Sequence, residues 1–226
     1  MATVPVETLR LPKDLAPYLD HTLLAPDATP ADLARLCAEA RRHGLGAVCV
    51  RRQEVPEARR LLAGAPVKIV AVVDFPEGLG TTAARVGEAL EAVRAGADEL
   101  DAVAPLPALL SGRWEAVLDD LRSVVRAVPV PVKVILETGR LDRDHKVAAA
   151  AIAACAGAAY VKTSTGFAGG GATVEDVALL RRVVGEGVGV KASGGIRTAA
   201  QALAMIRAGA DRIGSSSCAA IVTGAP

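Results

Sequence analysis

Short runs of β-branched and aliphatic residues recur along the chain. Each is followed by a longer stretch whose apolar positions fall three and four apart. The short runs predict strands at residues 18–24 (YLDHTLL), 46–50 (GAVCV), 67–75 (VKIVAVVDF), 98–104 (DELDAVA), 130–137 (VPVKVILE), 158–164 (AAYVKTS), 188–194 (VGVKASG) and 210–216 (ADRIGSS). The longer stretches, rich in Ala, Arg, Leu and Glu, predict helices. PADLARLCAEARRHG (30–44) opens on proline and stops at glycine, the residues favoured at those ends. TVEDVALLRRVVG (173–185) carries a Thr cap with an acid three residues on, close to a capping box. EAVRAGA, AACAGAA and AMIRAGA end three helices on the same small-residue joint. Eight strand–helix repeats in 226 residues predict an α/β fold, a single-domain (β/α)8 TIM barrel, with an open doubly wound sheet as the alternative. Residues 1–15 read as an N-terminal lead-in and 16–226 as the barrel, with no low-complexity linker between them.

Side chains alternate faces along a strand. In a barrel the outward face meets helices and is apolar, while the inward face can be polar near the active mouth. In VKVILE, Val132, Val134 and Leu136 share one face, and Lys133, Ile135 and Glu137 the other. In ELDAV, Leu100 and Ala102 oppose Glu99, Asp101 and Val103. Extending this to every strand predicts an interior set of Asp20, Cys49, Asp101, Lys133, Glu137, Lys162 and Lys191. Lys162 and Lys191 lie near the C-terminal ends of consecutive strands, where catalytic groups of this fold cluster.

Composition narrows the function. A net charge of +1 gives no electrostatic reason to expect nucleic acid or an anionic membrane as partner. Aromatic residues make up 2% of the chain, which leaves few platforms for base stacking. The N-terminus has no charged head followed by an apolar segment, so no secretion signal is expected. No apolar run reaches the roughly 18 residues of a spanning helix. Cys37, Cys49, Cys155 and Cys218 make no CxxC pair, so neither a zinc site nor a disulfide framework is indicated. No metal or cofactor is expected, and a reducing cytoplasm is the simplest setting. Three scattered histidines leave no His-based triad or metal site; His21 reads as a strand-to-helix hydrogen bond, His43 and His145 as helix-end residues.

Of the 26 basic residues only six are lysine: 13, 68, 133, 146, 162 and 191. Four of these fall in strands, in a chain whose usual cation is arginine. Arginine anchors a carboxylate or phosphate at least as well, but cannot readily lose a proton and attack a carbonyl. Two neighbouring ammonium groups repel, and repulsion with partial burial favours the neutral amine of one of them. Lowering a lysine pKa by about 3 units takes about 4 kcal/mol. A neutral amine forms a Schiff base with an aldehyde or ketone, and an enamine follows if a general base removes the α-proton. Asp101 is the interior carboxylate closest to that mouth. STGFAGGGAT, SGGIR and GSSS supply three Gly/Ser loops at the same end, where backbone N–H groups can approach a phosphate.

Other roles stay open on spacing alone. Lys162 could be a snorkelling strand-end residue paired with Glu137, and Lys133 could pair with Glu137 or face the pocket. Lys191 could be a phosphate anchor, and Asp101 a satisfied interior acid. Lys68, at the start of its strand, reads as structural. Cys49 reads as a small core residue, and Cys37, Cys155 and Cys218 as core or helix residues.

VKTSTGF, GATVEDV, VGVKASGGIRT and the C-terminal RIG.SS, with LDHTLL, AVCV, GADELD and VKVILET, closely resemble the deoxyribose-phosphate aldolase family from residue 19 to the end. The resemblance implies a metal-independent class I aldolase that interconverts 2-deoxy-D-ribose 5-phosphate with acetaldehyde and D-glyceraldehyde 3-phosphate. It implies Lys162 as the Schiff-base residue, Lys191 as the lysine that tunes it, and Asp101 in the proton relay. Asp20, Cys49 and Lys133 would line the pocket. Gly166, Gly194, Gly195, Gly214, Ser216 and Ser217 would cradle the phosphate. A cytoplasmic homo-oligomer, dimer or tetramer, is implied as well. The alternatives are a non-catalytic sugar-phosphate-binding barrel and another Schiff-base aldolase or synthase with a larger donor. The chain departs from the family pattern at Ala25, Arg51-Arg52, Asp74, Glu77, the segment Pro105–Pro107 and Cys218. These departures imply changes on the aldehyde side of the mouth, affecting acceptor range and efficiency rather than reaction type.

Overall fold

The computed structural model describes residue 9 and residues 11–224. Eight parallel strands close into a barrel in chain order: β1 Leu19–Thr22, β2 Ala47–Val50, β3 Lys68–Val73, β4 Glu99–Val103, β5 Val132–Ile135, β6 Tyr160–Lys162, β7 Gly189–Ser193 and β8 Arg212–Ser215. Each lies inside its predicted run, trimmed by one to four residues in total. The intervening helices are α1 Pro30–His43, α2 Val55–Leu61, α3 Thr82–Arg94, α4 Leu106–Leu110, α5 Trp114–Ala127, α6 Arg143–Cys155, α7 Val174–Val184, α8 Ala199–Arg207 and α9 Cys218–Thr223. The closed barrel replaces the doubly wound alternative. The lead-in expected over residues 1–15 falls largely outside the described residues. Residues 12–15 of it belong to a 3-10 helix, Pro12–Tyr18, which packs on α9 and accepts the Gly46 N–H at Ala16 O.

Local chemistry sets the helix ends. Thr29 caps α1 and exchanges hydrogen bonds with Asp32, and Thr198 does the same with Gln201 at α8. Thr173 accepts the Asp176 N–H at α7. The recurrent AGA joint places Gly96, Gly157 and Gly209 at φ 106°, 91° and 112°, a region glycine enters without a Cβ penalty. That turn lets each helix pass into the next strand across four residues.

The outward strand residues, among them Val48, Ile69, Leu100, Val134, Val161, Val190 and Ile213, are buried under the helices in one continuous core. The interior is divided. On β2 and β3 it is apolar: Ala47, Cys49, Val70 and Val72 form a separate small cluster with Leu24. The strands from β4 round to β1 carry the buried charges. Alternation placed Asp101, Lys133, Lys162 and Lys191 on one lining, and the lateral register holds them there, with Asp101 opposite Lys133 and Lys162 opposite Lys191.

Candidate active site

Asp20, Asp101, Lys133 and Lys191 are fully buried and Lys162 is 3% exposed. Asp101 is the hub. Its Oδ2 accepts from Lys162 Nζ at 2.8 Å and Lys191 Nζ at 2.7 Å. Its Oδ1 accepts from Lys133 Nζ at 2.9 Å. Lys191 also donates to Asp20 Oδ2 at 2.5 Å. Burial alone would raise the Asp101 carboxyl, but Lys133, Lys162 and Lys191 outweigh it and hold the group well below the ordinary carboxylate range. Asp20 is lowered in the same way, burial being overcome by Arg212 and Lys191. Burial works against the Lys191 cation, yet the Asp101 and Asp20 carboxylates raise it above the usual lysine value. Lys191 is therefore a fixed positive charge beside Lys162 at neutral pH. Cys49 lies in the apolar interior cluster, its thiol pushed up by burial and then by the Asp101 charge.

Above Lys162 opens a cavity of about 350 Å³, within the size range of small-ligand sites. Lys162 forms part of its floor; Gly166, Gly194, Gly195, Gly214 and Ser216 line it, as do Thr22, Leu23, Leu24, Ala25, Thr165, Phe167, Ser193, Ile196, Arg197 and Ser215. The two glycine loops touch closely. A Cβ on Gly171 would stand 2.5 Å from the Gly194 carbonyl oxygen, so only glycine fits there without moving a loop. Gly214 lacks a Cβ for a related reason: one would meet Ser193 Cβ at 2.9 Å and Lys191 Cε at 3.2 Å. Hydrogen bonds rivet the β6 and β7 loops together, from Thr163 Oγ1 to Ser193 O at 3.0 Å and from Ser193 Oγ to Ser164 O at 2.5 Å.

Several expectations need correction. Neither Lys133 nor Lys162 pairs with Glu137; both pair with Asp101. Glu137 follows β5 at φ 57°, so the alternation that aligned it with Lys133 ends at Ile135. Its Oε2 instead accepts the Thr165 N–H at 3.1 Å and hydroxyl at 2.5 Å. Thr165 Oγ1 in turn accepts the Phe167 N–H at 3.1 Å, so a buried carboxylate shapes the loop over the cavity. Ser217, expected in the phosphate cradle, stands outside the lining and donates its N–H to Ser215 Oγ at 2.9 Å. Among the departures, Ala25 lines the cavity, whereas Arg51, Asp74, Glu77, Pro105 and Pro107 do not. Arg51 donates instead to Leu24 O at 2.7 Å, bracing the β1 loop from behind. Phe75 reaches the mouth indirectly, edge-on to Phe167 with ring centroids 5.2 Å apart.

Other residues fall where expected. His21 bridges to Glu39 of α1 at 2.7 Å, and Lys68 pairs with Glu99 at 2.6 Å near the opposite end of the barrel. Sequence reasoning missed Glu99, Arg212 and Arg197 as site residues. Glu99 shares the Asp101 face two residues earlier, and Arg212 sits two before Gly214, so strand alternation could have found both. Arg197, at the exposed rim, closes SGGIR and carries no periodic signal.

A model describing the DeoC/LacD family aldolases matches residues 15–224. The deoxyribose-phosphate aldolase of Brevibacillus brevis is 51% identical over 209 residues, 92% of this chain and 95% of that one. The enzyme of the same name from Thermococcus gammatolerans is 50% identical over 217 residues, 94% and 96% of the two chains. A solved structure described as a tetrameric deoxyribose phosphate aldolase from Aeropyrum pernix is 35% identical, with a TM-score of 0.89 over 96% of this chain and 93% of that one.

Proposed function

The chain belongs to the DeoC/LacD family of aldolases, and on that premise we propose that it cleaves 2-deoxy-D-ribose 5-phosphate reversibly through an imine on Lys162. One observation carries the reading: Lys162 lines the cavity, and its amine is 2.8 Å from a buried carboxylate that also holds two other lysines. Lys162 Nζ attacks the C1 aldehyde of the open-chain sugar, and the carbinolamine loses water to give the imine. The C3 hydroxyl gives up its proton, the C2–C3 bond breaks, and D-glyceraldehyde 3-phosphate leaves. The C2–C3 electron pair stays as the enamine of acetaldehyde. Protonation at C2 and hydrolysis by one water release acetaldehyde and the free amine.

Asp101, with a water, is proposed to move the C3-hydroxyl and C2 protons. Lys191 supplies a fixed cation that disfavours a second charge on its neighbour. Gly166, Gly194, Gly195, Gly214 and Ser216 line the same cavity and offer backbone and hydroxyl donors to the 5-phosphate. Arg197 at the rim adds a positive charge. No helix among the described residues is long and apolar enough to cross a membrane, and the four cysteines are free, which supports a reducing cytoplasm as the place of action. A homo-oligomer is the proposed assembly, supported by the tetramer described for the Aeropyrum pernix relative.

Reductive trapping tests the reading. The protein is incubated with 2-deoxyribose 5-phosphate, reduced with borohydride, and the modified peptide mapped by mass spectrometry. An adduct on Lys162 is expected. An adduct on Lys191 or Lys133 reverses the assignment of roles. Sugar-phosphate binding without any adduct replaces the aldolase chemistry with a binding protein.

A further inference from the structure

We propose that Glu99 and Arg212 close an electroneutral ring of six buried charges beneath the reacting amine, and that these two positioning residues set the pH at which Lys162 forms its imine. The proposal rests on the reading of Lys162 as the imine-forming residue. The ring alternates acid and base. Asp20 Oδ2 meets Lys191 at 2.5 Å, and Lys191 meets Asp101 Oδ2 at 2.7 Å. Asp101 Oδ1 meets Lys133 at 2.9 Å, and Lys133 meets Glu99 Oε2 at 2.7 Å. Glu99 Oε2 faces Arg212 Nη1 at 3.5 Å, and Arg212 Nε returns to Asp20 Oδ1 at 2.9 Å. No member is more than 7% exposed. Three carboxylates balance three cations.

Lys162 is the seventh group. Among the described residues its ion-pair partner is Asp101, through the Oδ2 that Lys191 also uses. It therefore has no carboxylate of its own. As an amine it leaves the buried cluster neutral; as an ammonium it adds a charge that nothing in the ring compensates, which is costly away from water. The Asp20, Glu99 and Asp101 carboxyls lie below their ordinary values despite burial, and Lys191 and Arg212 lie above theirs despite burial.

The remaining groups near Lys162 do not alter this count within the ring. Cys49 on β2 has its thiol pushed up by burial and is neutral. Tyr160 lies two residues back on β6, its ring 5.9 Å from Lys133 Nζ. Glu137 beyond β5 is bonded to Thr165 rather than to a ring member. Lys68 holds Glu99 Oε1 from the wet end of the barrel, its side chain 38% exposed, where solvent screens it. Cys49, Tyr160 and Glu137 are unchanged in the variants below, and Lys68, which loses its carboxylate partner in Glu99→Gln, adds to the positive charge there from the solvent side.

Glu99→Gln leaves the ring net positive and Arg212→Gln leaves it net negative. Acetaldehyde is trapped on each protein with cyanoborohydride across a pH series, and the Lys162 adduct is quantified by mass spectrometry. The half-maximal pH is expected to fall in Glu99→Gln and to rise in Arg212→Gln, by about one unit or more each. A structural defect alone would lower yield without moving the midpoints in opposite directions. The double variant and Arg212→Lys both keep the ring neutral, and both are expected to return the midpoint to that of the parent. Shifts of one sign, or no shift in folded single variants, overturn the proposal. If neither single variant folds, a midpoint displaced by a unit or more in the double variant or in Arg212→Lys overturns it. Absence of a Lys162 adduct in the parent at every pH is a separate result: it removes the aldolase assignment itself.

Discussion

Replacing Asp101 by Asn keeps the shape of the hub and removes its charge. Two ammonium groups, Lys133 and Lys191, lie 2.9 and 2.7 Å from its oxygens in a fully buried site, with the Lys162 nitrogen at 2.8 Å. At an effective dielectric of about 20, each ammonium contact amounts to about 6 kcal/mol of Coulomb attraction. Desolvation of the ions cancels most of that, and removing one partner of a buried pair costs about 3–5 kcal/mol net. A loss of that size is expected in urea unfolding, large against the 5–15 kcal/mol typical of a whole domain, so the measurement belongs at 25 °C or below. Turnover is expected to fall further than folding explains. Losing a general acid–base group lowers kcat by about 10²- to 10⁴-fold. Imine formation should survive, because three crowded lysines without their shared carboxylate favour a neutral amine. The assay therefore has two arms on the same folded sample: acetaldehyde release from 2-deoxyribose 5-phosphate, and borohydride trapping on Lys162. Loss of release with retained trapping is expected. Turnover within tenfold of the parent would refute the role of Asp101, and a folded variant that neither turns over nor traps would place Asp101 before imine formation.

Gly171→Ala puts a Cβ 2.5 Å from the Gly194 carbonyl oxygen, forcing the glycine loops apart. A loss of about 1–3 kcal/mol is expected, with KM rising for phosphorylated but not for unphosphorylated deoxyribose; equal effects on the two sugars would remove the phosphate from that cradle. Glu137→Gln weakens the acceptor for the Thr165 N–H and hydroxyl, and a loss of about 1–3 kcal/mol with a raised KM is expected; an unchanged Tm and KM would show that the loop holds without the carboxylate. Stability should also depend on pH with a definite sign. The Asp20, Glu99 and Asp101 carboxyls lie below their ordinary values, so the unfolded chain binds more protons below about pH 5. Their contribution is complete above the unfolded values near 4 and is lost as pH falls through the folded ones. The urea midpoint is expected to drop between pH 7 and pH 3.5, and a flat or rising midpoint would contradict the ionised ring.

The barrel was legible because each strand keeps its period of two while buried on both sides. An outward Val, Leu or Ala at every second position frames the inward charge, as with Val132 and Val134 around Lys133. The same alternation misleads once the strand ends. Carried past Ile135 it places Glu137 beside Lys133, but a left-handed residue turns that carboxylate to Thr165. Arg212 escaped for another reason. The contrast between strand lysines and helix arginines marks groups able to lose a proton, and so hides an arginine whose use is to remain charged. Its partner Asp20 lies 192 residues away, brought close only when β8 closes on β1. Ring closure is a property of the register around the whole barrel, and no local motif carries it. The apolar wall of β2 and β3 adds to its effect: with Cys49, Val70 and Val72 fully or nearly buried on that side, little water is available to screen the charges, and the state of the one lysine without its own carboxylate is governed by how many ions surround it.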